Sequence, residues 1–344
     1  MTTLRGALRA QSPDLVLLGI AVVWGGSYLA SKDLAAASSA AAVMCARFVP
    51  AAVLLLGLCA ARRAGALGGA GRASTGRRGA APGALRRSLR AGVTLGALRA
   101  ATIALETVGV TLTSAANAGL LIGLSVLITP LIEAARLRRP LSRGLIGSIL
   151  LAVVGVGLLV SGGGLTAPNP GDALILCAAV TRAGLGVAEG RTAAQPGSDV
   201  IALTTVELSV GAVAFAIVGG GPLLAAIGGF GPAQWAGIAY LVLGCTIAAF
   251  LGTLWATRRT SASRAGILLG TEPIWALGIA VVLAGERIGV PGLIGAVVLI
   301  GATLWGRRAE RLWRERALPI ADTAPDAGDD ALPEPAPRVR PDLG

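Results

Sequence analysis

Ten stretches of roughly twenty apolar residues follow one another along the chain, at about 14–33, 39–60, 91–111, 114–135, 143–162, 172–191, 200–219, 233–254, 262–283 and 289–306. A run of that length spans the roughly 30 Å of a bilayer's hydrocarbon as a single helix, and a helix satisfies every backbone N–H and C=O within its own segment. The expected fold is therefore an all-α integral membrane protein of ten transmembrane helices. A composition that is 54% apolar with 50 glycines agrees with this and argues against a soluble enzyme. The first stretch has the charged start of a signal peptide, but it runs on through Trp24 to Lys32 and matches the sixth, so it is expected to be retained.

The net charge of +12 comes almost wholly from arginine, and Lys32 is the one lysine. With the amino terminus placed in the cytoplasm, the inner side receives Arg5, Arg9, eight arginines from Arg62 to Arg90, four from Arg136 to Arg143, then Arg258, Arg259, Arg264 and the cluster from Arg307 to Arg316. The outer loops receive only Lys32 and Arg287. That asymmetry orients the chain with both termini inside a cell membrane. Because the arginines lie between apolar segments, and the few aromatics form no stacking platform, the charge does not point to nucleic acid.

The chain is also an internal duplication. Ser114, Ala118, Gly119 and Gly123 recur about 147 residues later as Ser261, Ala265, Gly266 and Gly270, and Asp14-Leu15-Val16-Leu17-Leu18 aligns without gaps to Asp172-Ala173-Leu174-Ile175-Leu176. Five helices per half is an odd number, so the second half is expected upside down relative to the first. Inverted repeats place a binding site near the midplane, where the halves meet. The expected divisions are a cytoplasmic segment 1–13, repeat 1 at 14–162 with a loop at 61–90, repeat 2 at 163–308, and a largely disordered cytoplasmic tail at 309–344.

Cys45, Cys59, Cys177 and Cys245 all lie in apolar stretches without metal-ligand spacing, so no disulfide, metal or cofactor is expected. The absence of histidine leaves proton work near neutral pH to carboxylates. A charged side chain at the centre of a membrane helix costs about 2.5–3.5 kcal/mol on insertion scales and normally faces a cavity or a partner. The candidates are Arg47, Arg99, Glu106, Arg182, Glu207 and Glu272, with Glu133 and Glu189 nearer the cytoplasmic ends. Glu272 is expected near the middle of the ninth helix, facing a cavity or pairing with Arg182 or Arg47, while Pro273 loosens the backbone beside it. Arg47 aligns with Glu207 in the duplicated register and is expected to approach it as an ion pair. Arg99 and Glu106, seven residues apart, share a face of helix 3, and Trp24 and Arg182 hold equivalent positions in helices 1 and 6. Tyr28, Asn117 and Trp275 are further candidates, Asn117 also as a helix cap. Gly119, Gly123, Gly266 and Gly270 form paired Gly-x-x-x-Gly ridges suited to close helix packing.

Several motifs together resemble the EamA-like branch of the drug/metabolite transporter superfamily over about residues 14–308. They are Trp24-Gly25-Gly26-Ser27 with Lys32, Arg47-Phe48, Thr113-Ser114-Ala115-Ala116-Asn117-Ala118, Glu272-Pro273 and Gly285-Glu286-Arg287. Arg138-Arg139 stands where the pattern has Glu-Arg, Arg182 where it often has tryptophan, and the loop after helix 2 is unusually long.

The expected function is secondary transport, as an exporter, of a small polar metabolite or drug-like solute by alternating access, with Glu272 as first choice for a proton-coupling carboxylate. The only lysine follows Ser31, so no phosphate-binding loop exists and ATP hydrolysis is not expected. A receptor or scaffold that keeps the fold without transporting is the alternative. The expected partners are a small-molecule solute, protons and the lipid bilayer, and a homodimer is left open.

Overall fold

The computed structural model describes residues 2–63, 82–138, 140–161, 170–193, 200–257, 259, 265 and 268–317. These are almost wholly helical. In chain order the helices are α1 (Thr2–Ala36), α2 (Ala40–Arg63), α3 (Pro82–Leu112), α4 (Ala115–Ile122), α5 (Ser125–Leu137), α6 (Arg143–Ser161), α7 (Pro170–Ala193), α8 (Val200–Ile227), α9 (Pro232–Ala239), a π-helical segment (Tyr240–Ala248), α10 (Ala249–Thr257), α11 (Glu272–Val282) and α12 (Val290–Ala317).

Among the described residues, eight spans are long and apolar enough to cross a membrane, and two shorter apolar helices, Arg143–Leu158 and Glu272–Val282, fall where the fifth and ninth spans were expected. Every apolar stretch read from the sequence thus has a helical counterpart, though not each as a full-length span. Large apolar side chains cover the outside: Ile217 is 80% exposed and Val282 78%, as a surface in contact with lipid requires. Helix also extends beyond the expected boundaries. It covers residues 2–13, 82–90 and 309–317, while 64–81 of the long loop and 318–344 of the tail lie outside the described residues.

Three spans are interrupted, and the interruptions matter for the site. Between α4 and α5 the chain tightens at Gly123-Leu124, where Leu124 N–H donates to Leu121 C=O at 3.1 Å and Val126 N–H to Gly123 C=O at 3.2 Å. In the eighth span the helix widens, and the Thr246 hydroxyl donates to Leu241 C=O, five residues back, at 2.9 Å. The ninth span is not one helix with Glu272 at its middle. Gly270 and Thr271 form a turn, and α11 starts at Glu272 with Pro273 in its first turn. Proline has no N–H to give, and its ring displaces the carbonyl of Leu269, so the helix restarts there.

Packing across the chain pairs α2 with α8, α6 with α12 and α4 with α11, while α3 packs on α7 and α1 on α10 and α11. The α4–α11 contact is close: a Cβ on Gly123 would come within 2.7 Å of Pro273 Cγ, and one on Gly119 would overlap Ala276. Gly270 departs from the expectation, since it lies under the Arg307 side chain of α12 and not against a helix backbone. Gly266 lies outside the described residues. The largest buried apolar cluster joins α4, α6, α7, α11 and α12 through Leu120, Leu121, Leu145, Ile175 and Leu299.

Candidate functional site

Trp24, Ser27 and Tyr28 of α1, Arg47 and Phe48 of α2 and Arg99 to Glu106 of α3 turn toward a cavity of about 340 Å³. Its other walls are Ser125 to Thr129 of α5, Arg182 to Glu189 of α7, Leu208 of α8, Cys245, Thr246 and Phe250 of the eighth span, and Glu272. Eight of the residues singled out from the sequence therefore share one space: Trp24, Tyr28, Arg47, Arg99, Glu106, Arg182, Glu189 and Glu272.

Glu272 is the most fully engaged of them. Arg182 grips its carboxylate with two nitrogens, Nη2 to Oε2 at 2.9 Å and Nη1 to Oε1 at 3.3 Å, and the Tyr28 hydroxyl donates to Oε1. A fork of this kind fixes direction as well as charge, which a lysine would not do. As the first residue of α11, Glu272 also sits at the positive end of that helix. Arg182 lies 5.9 Å from the centroid of Trp24, within cation–π range, and Trp24 Nε1 donates to Cys245 C=O at 3.0 Å. Trp24 and Arg182 thus meet in one wall of the cavity.

Arg99 holds the second cluster. Its Nε donates to Glu207 Oε2 at 3.0 Å, its Nη2 reaches both Glu207 and Glu189, and its guanidinium lies 4.8 Å from the Phe250 centroid. Glu207 is 2% exposed, so it stands behind Arg99 and not in the cavity wall. The expected Arg47–Glu207 pair does not form. Glu207 belongs to Arg99, and Arg47 instead donates from Nε to Thr246 Oγ1 at 3.1 Å. The π-helical widening explains why: it shifts register by part of a turn and brings Thr246 inward, which regular helical spacing does not anticipate.

Asn117 and Trp275 do not line the cavity. Asn117 is fully buried and donates from Nδ2 to Asp172 Oδ1 at 3.2 Å, while Trp275 Nε1 donates to Thr271 Oγ1 at 3.1 Å within its own turn. The cap at the start of α4 is Ser114, whose hydroxyl accepts from Asn117 N–H at 2.9 Å. Around it lies a network at the end of the bundle away from Glu189. Lys32 Nζ donates to Thr113 C=O at 2.7 Å, and Thr113 Oγ1 to Asp172 Oδ1 at 2.6 Å. Glu286 accepts from Ala115 and Ala116 N–H at 2.8 and 3.1 Å, and Gly285 at φ +63° lets the chain turn toward them. Sequence reading ranked Glu189 below its partners because it lies late in its helix, and gave no weight to Ser125, Thr129, Thr246 or Phe250. Hydroxyl and aromatic side chains in apolar helices carry no signal of which face they take.

A helical bundle clad in apolar side chains, around a cavity in which opposed charges stand among apolar walls, defines a multi-pass membrane protein. Sequence comparison gives the family. The EamA-like transporter family profile matches residues 11–161 and again 169–305, so the chain belongs to that family of drug/metabolite-type membrane transporters, as two consecutive copies of its unit. A solved structure titled "Crystal structure of protein" is similar in fold, with a TM-score of 0.53 and 17% identity over 89% of this chain and 98% of that one. No curated protein matches.

Proposed function

We propose that this chain is a secondary transporter that exports a small polar metabolite or drug-like solute across the cell membrane by alternating access, with proton movement coupled to export. The observation that carries the reading is that polar contacts around the cavity join the two family repeats. Tyr28 reaches Glu272, Arg99 reaches Glu189 and Glu207, and Arg47 reaches Thr246, each bond joining repeat 1 to repeat 2. Hydrogen bonds and ion pairs can break and reform as two rigid halves rock, in a way that an apolar core cannot.

The pairing pattern supports an inverted arrangement. Exchanging the repeats maps α2–α8, α6–α12 and α4–α11 onto themselves, and maps α3–α7 onto the contact between the eighth span and α1. Such pseudo-symmetry provides two equivalent states open to opposite sides. The Arg99 cluster then closes one end, and the Lys32, Asp172 and Glu286 network the other.

The test is flux through proteoliposomes of a panel of cationic, zwitterionic, anionic and neutral solutes, with and without a pH gradient, wild type beside Glu272→Gln. Flux driven by the gradient in wild type, and reduced at least tenfold in the variant, is the expected result. Absence of flux for every solute in wild type would refute the reading and favour a receptor or scaffold.

A further inference from the structure

A second cavity, of about 400 Å³, shares no lining residue with the first. It is a cleft between α1 of repeat 1 and α9 and α11 of repeat 2, at the end of the bundle away from Glu189. Its walls are sorted by depth. Asp33 in the last turn of α1 and Gln234 in the first turn of α9 stand at the mouth, with Leu283 just past α11. Deeper in, Leu29 and Ala30 of α1 face Gly237 of α9 and Ile279 of α11. Tyr240 forms the floor with Gly26, its hydroxyl donating to Val23 C=O at 2.6 Å. From Asp33 to Gly26 the cleft descends along α1 by about 10 Å at 1.5 Å per residue.

Asp33 is the one charged side chain in this wall, and its carboxylate makes no hydrogen bond or ion pair with a described residue. The other charges at this end are engaged or stand apart. Lys32 donates to Thr113 C=O, Asp172 accepts from Thr113 and Asn117, and Glu286 accepts from the first N–H groups of α4. Arg287 lies in the turn after α11, outside the wall. Gln234 Oε1 accepts from Gly231 N–H at 3.0 Å, which leaves the amide nitrogen as a donor at the mouth.

From this arrangement we infer that the cleft binds a membrane phospholipid with a primary ammonium head. Its nitrogen sits against Asp33, a phosphate oxygen against Gln234 Nε2, and the upper part of one acyl chain between Leu29, Ala30 and Ile279. A negative mouth over an apolar interior is complementary to a molecule with a positive end and a hydrocarbon chain. A primary ammonium brings N–H donors for charge-assisted bonds to the carboxylate, which a quaternary head lacks. A head with net negative charge would meet Asp33 with no cation in the wall to offset the repulsion. The lipid touches both repeats, so its binding stabilises their docking at this end, as any ligand of the folded state alone must.

The experiment uses the full chain in non-ionic detergent, titrated with phosphatidylethanolamine, phosphatidylcholine and phosphatidylglycerol of identical dioleoyl chains. Bound lipid is counted by native mass spectrometry, and melting temperature is recorded in parallel. Phosphatidylethanolamine is expected to bind about tenfold more tightly than the other two and to raise the melting temperature most. Asp33→Asn is expected to lose that preference and that shift. Gly237→Phe is expected to lose retention of phosphatidylethanolamine by filling the cleft, since an added Cβ there meets nothing within 4 Å. Should Asp33→Asn fail to fold, Gly237→Phe and the wild-type head-group preference still decide. Equal retention of the three lipids would mean that bulk lipid merely solvates the cleft, and would overturn the inference. A preference for phosphatidylglycerol, a lipid-free dimer seated on this face, or an undiminished preference in Asp33→Asn would overturn it too. Binding is read without any solute flux, so it stands or falls apart from the transporter reading.

Discussion

At the scale of single residues, the site is a matter of which charge meets which. That Arg182 and Glu272 are functional or paired was legible from the cost of placing them in apolar segments. Which arginine Glu272 takes, Arg182 or Arg47, and that Glu207 takes Arg99 and not Arg47, was not, because sequence gives the depth of a charge but not the azimuth of its helix in the bundle. The Arg182–Glu272 fork is buried on the glutamate side and 30% exposed on the arginine side. Removing one partner strands the other, so Arg182→Met is expected to destabilise by about 3 kcal/mol, the low end of the range for a broken buried pair. The double variant Arg182→Met/Glu272→Leu leaves no unmatched charge at this pair and is expected to recover at least half of that loss. A double-mutant cycle on thermal unfolding in detergent checks both, and a double variant less stable than Arg182→Met alone would count against the fork as the dominant contact.

At the scale of elements, the breaks in α4–α5 and before α11 decide where side chains point. The sequence contained their causes, Gly123 and Pro273, but a glycine or proline within a membrane helix is also compatible with an unbroken kinked rod. What fixes the outcome is the close crossing of α4 and α11, where Gly123 meets Pro273 and Gly119 meets Ala276. Gly119→Val is expected to cost about 1–3 kcal/mol by overpacking. Gly278→Ala, in α11 with nothing within 4 Å of its added Cβ, is expected to be neutral or stabilising by up to about 1 kcal/mol. Melting temperatures of the two variants test this, with equal effects contradicting the packing. Glu286 crosses to the first N–H groups of α4, which have no partner within the helix, so Glu286→Ala is expected to cost about 1 kcal/mol and to raise hydrogen exchange at Ala115 and Ala116 first.

At the scale of the molecule, alternating access requires the two ends to open in turn. Thr113 of the α3–α4 turn in repeat 1 and Asp172 of α7 in repeat 2 meet at the end away from Glu189. A short reducible cross-linker joining Thr113→Cys to Asp172→Cys is expected to arrest flux, and reduction is expected to restore it. Continued flux while cross-linked would mean that this end does not open during transport.

Length, hydropathy and arginine placement were enough to specify a membrane-spanning helical chain in two related halves, because bilayer thickness and backbone hydrogen bonding leave a segment of twenty apolar residues very few alternatives. The same logic marked Glu272, Arg182, Arg99, Glu106 and Arg47 as residues that must be accounted for. Only the tertiary structure decided how they are accounted for. It gave Glu207 to Arg99 and Arg47 to Thr246 where the duplicated register had joined the two, set Asn117 and Trp275 into packing away from the cavity, and left Glu106 without a bonded partner among the described residues. The physical reason is that burial depth is a one-dimensional property of the chain, whereas an ion pair depends on the rotation and register of two helices brought together from distant parts of it.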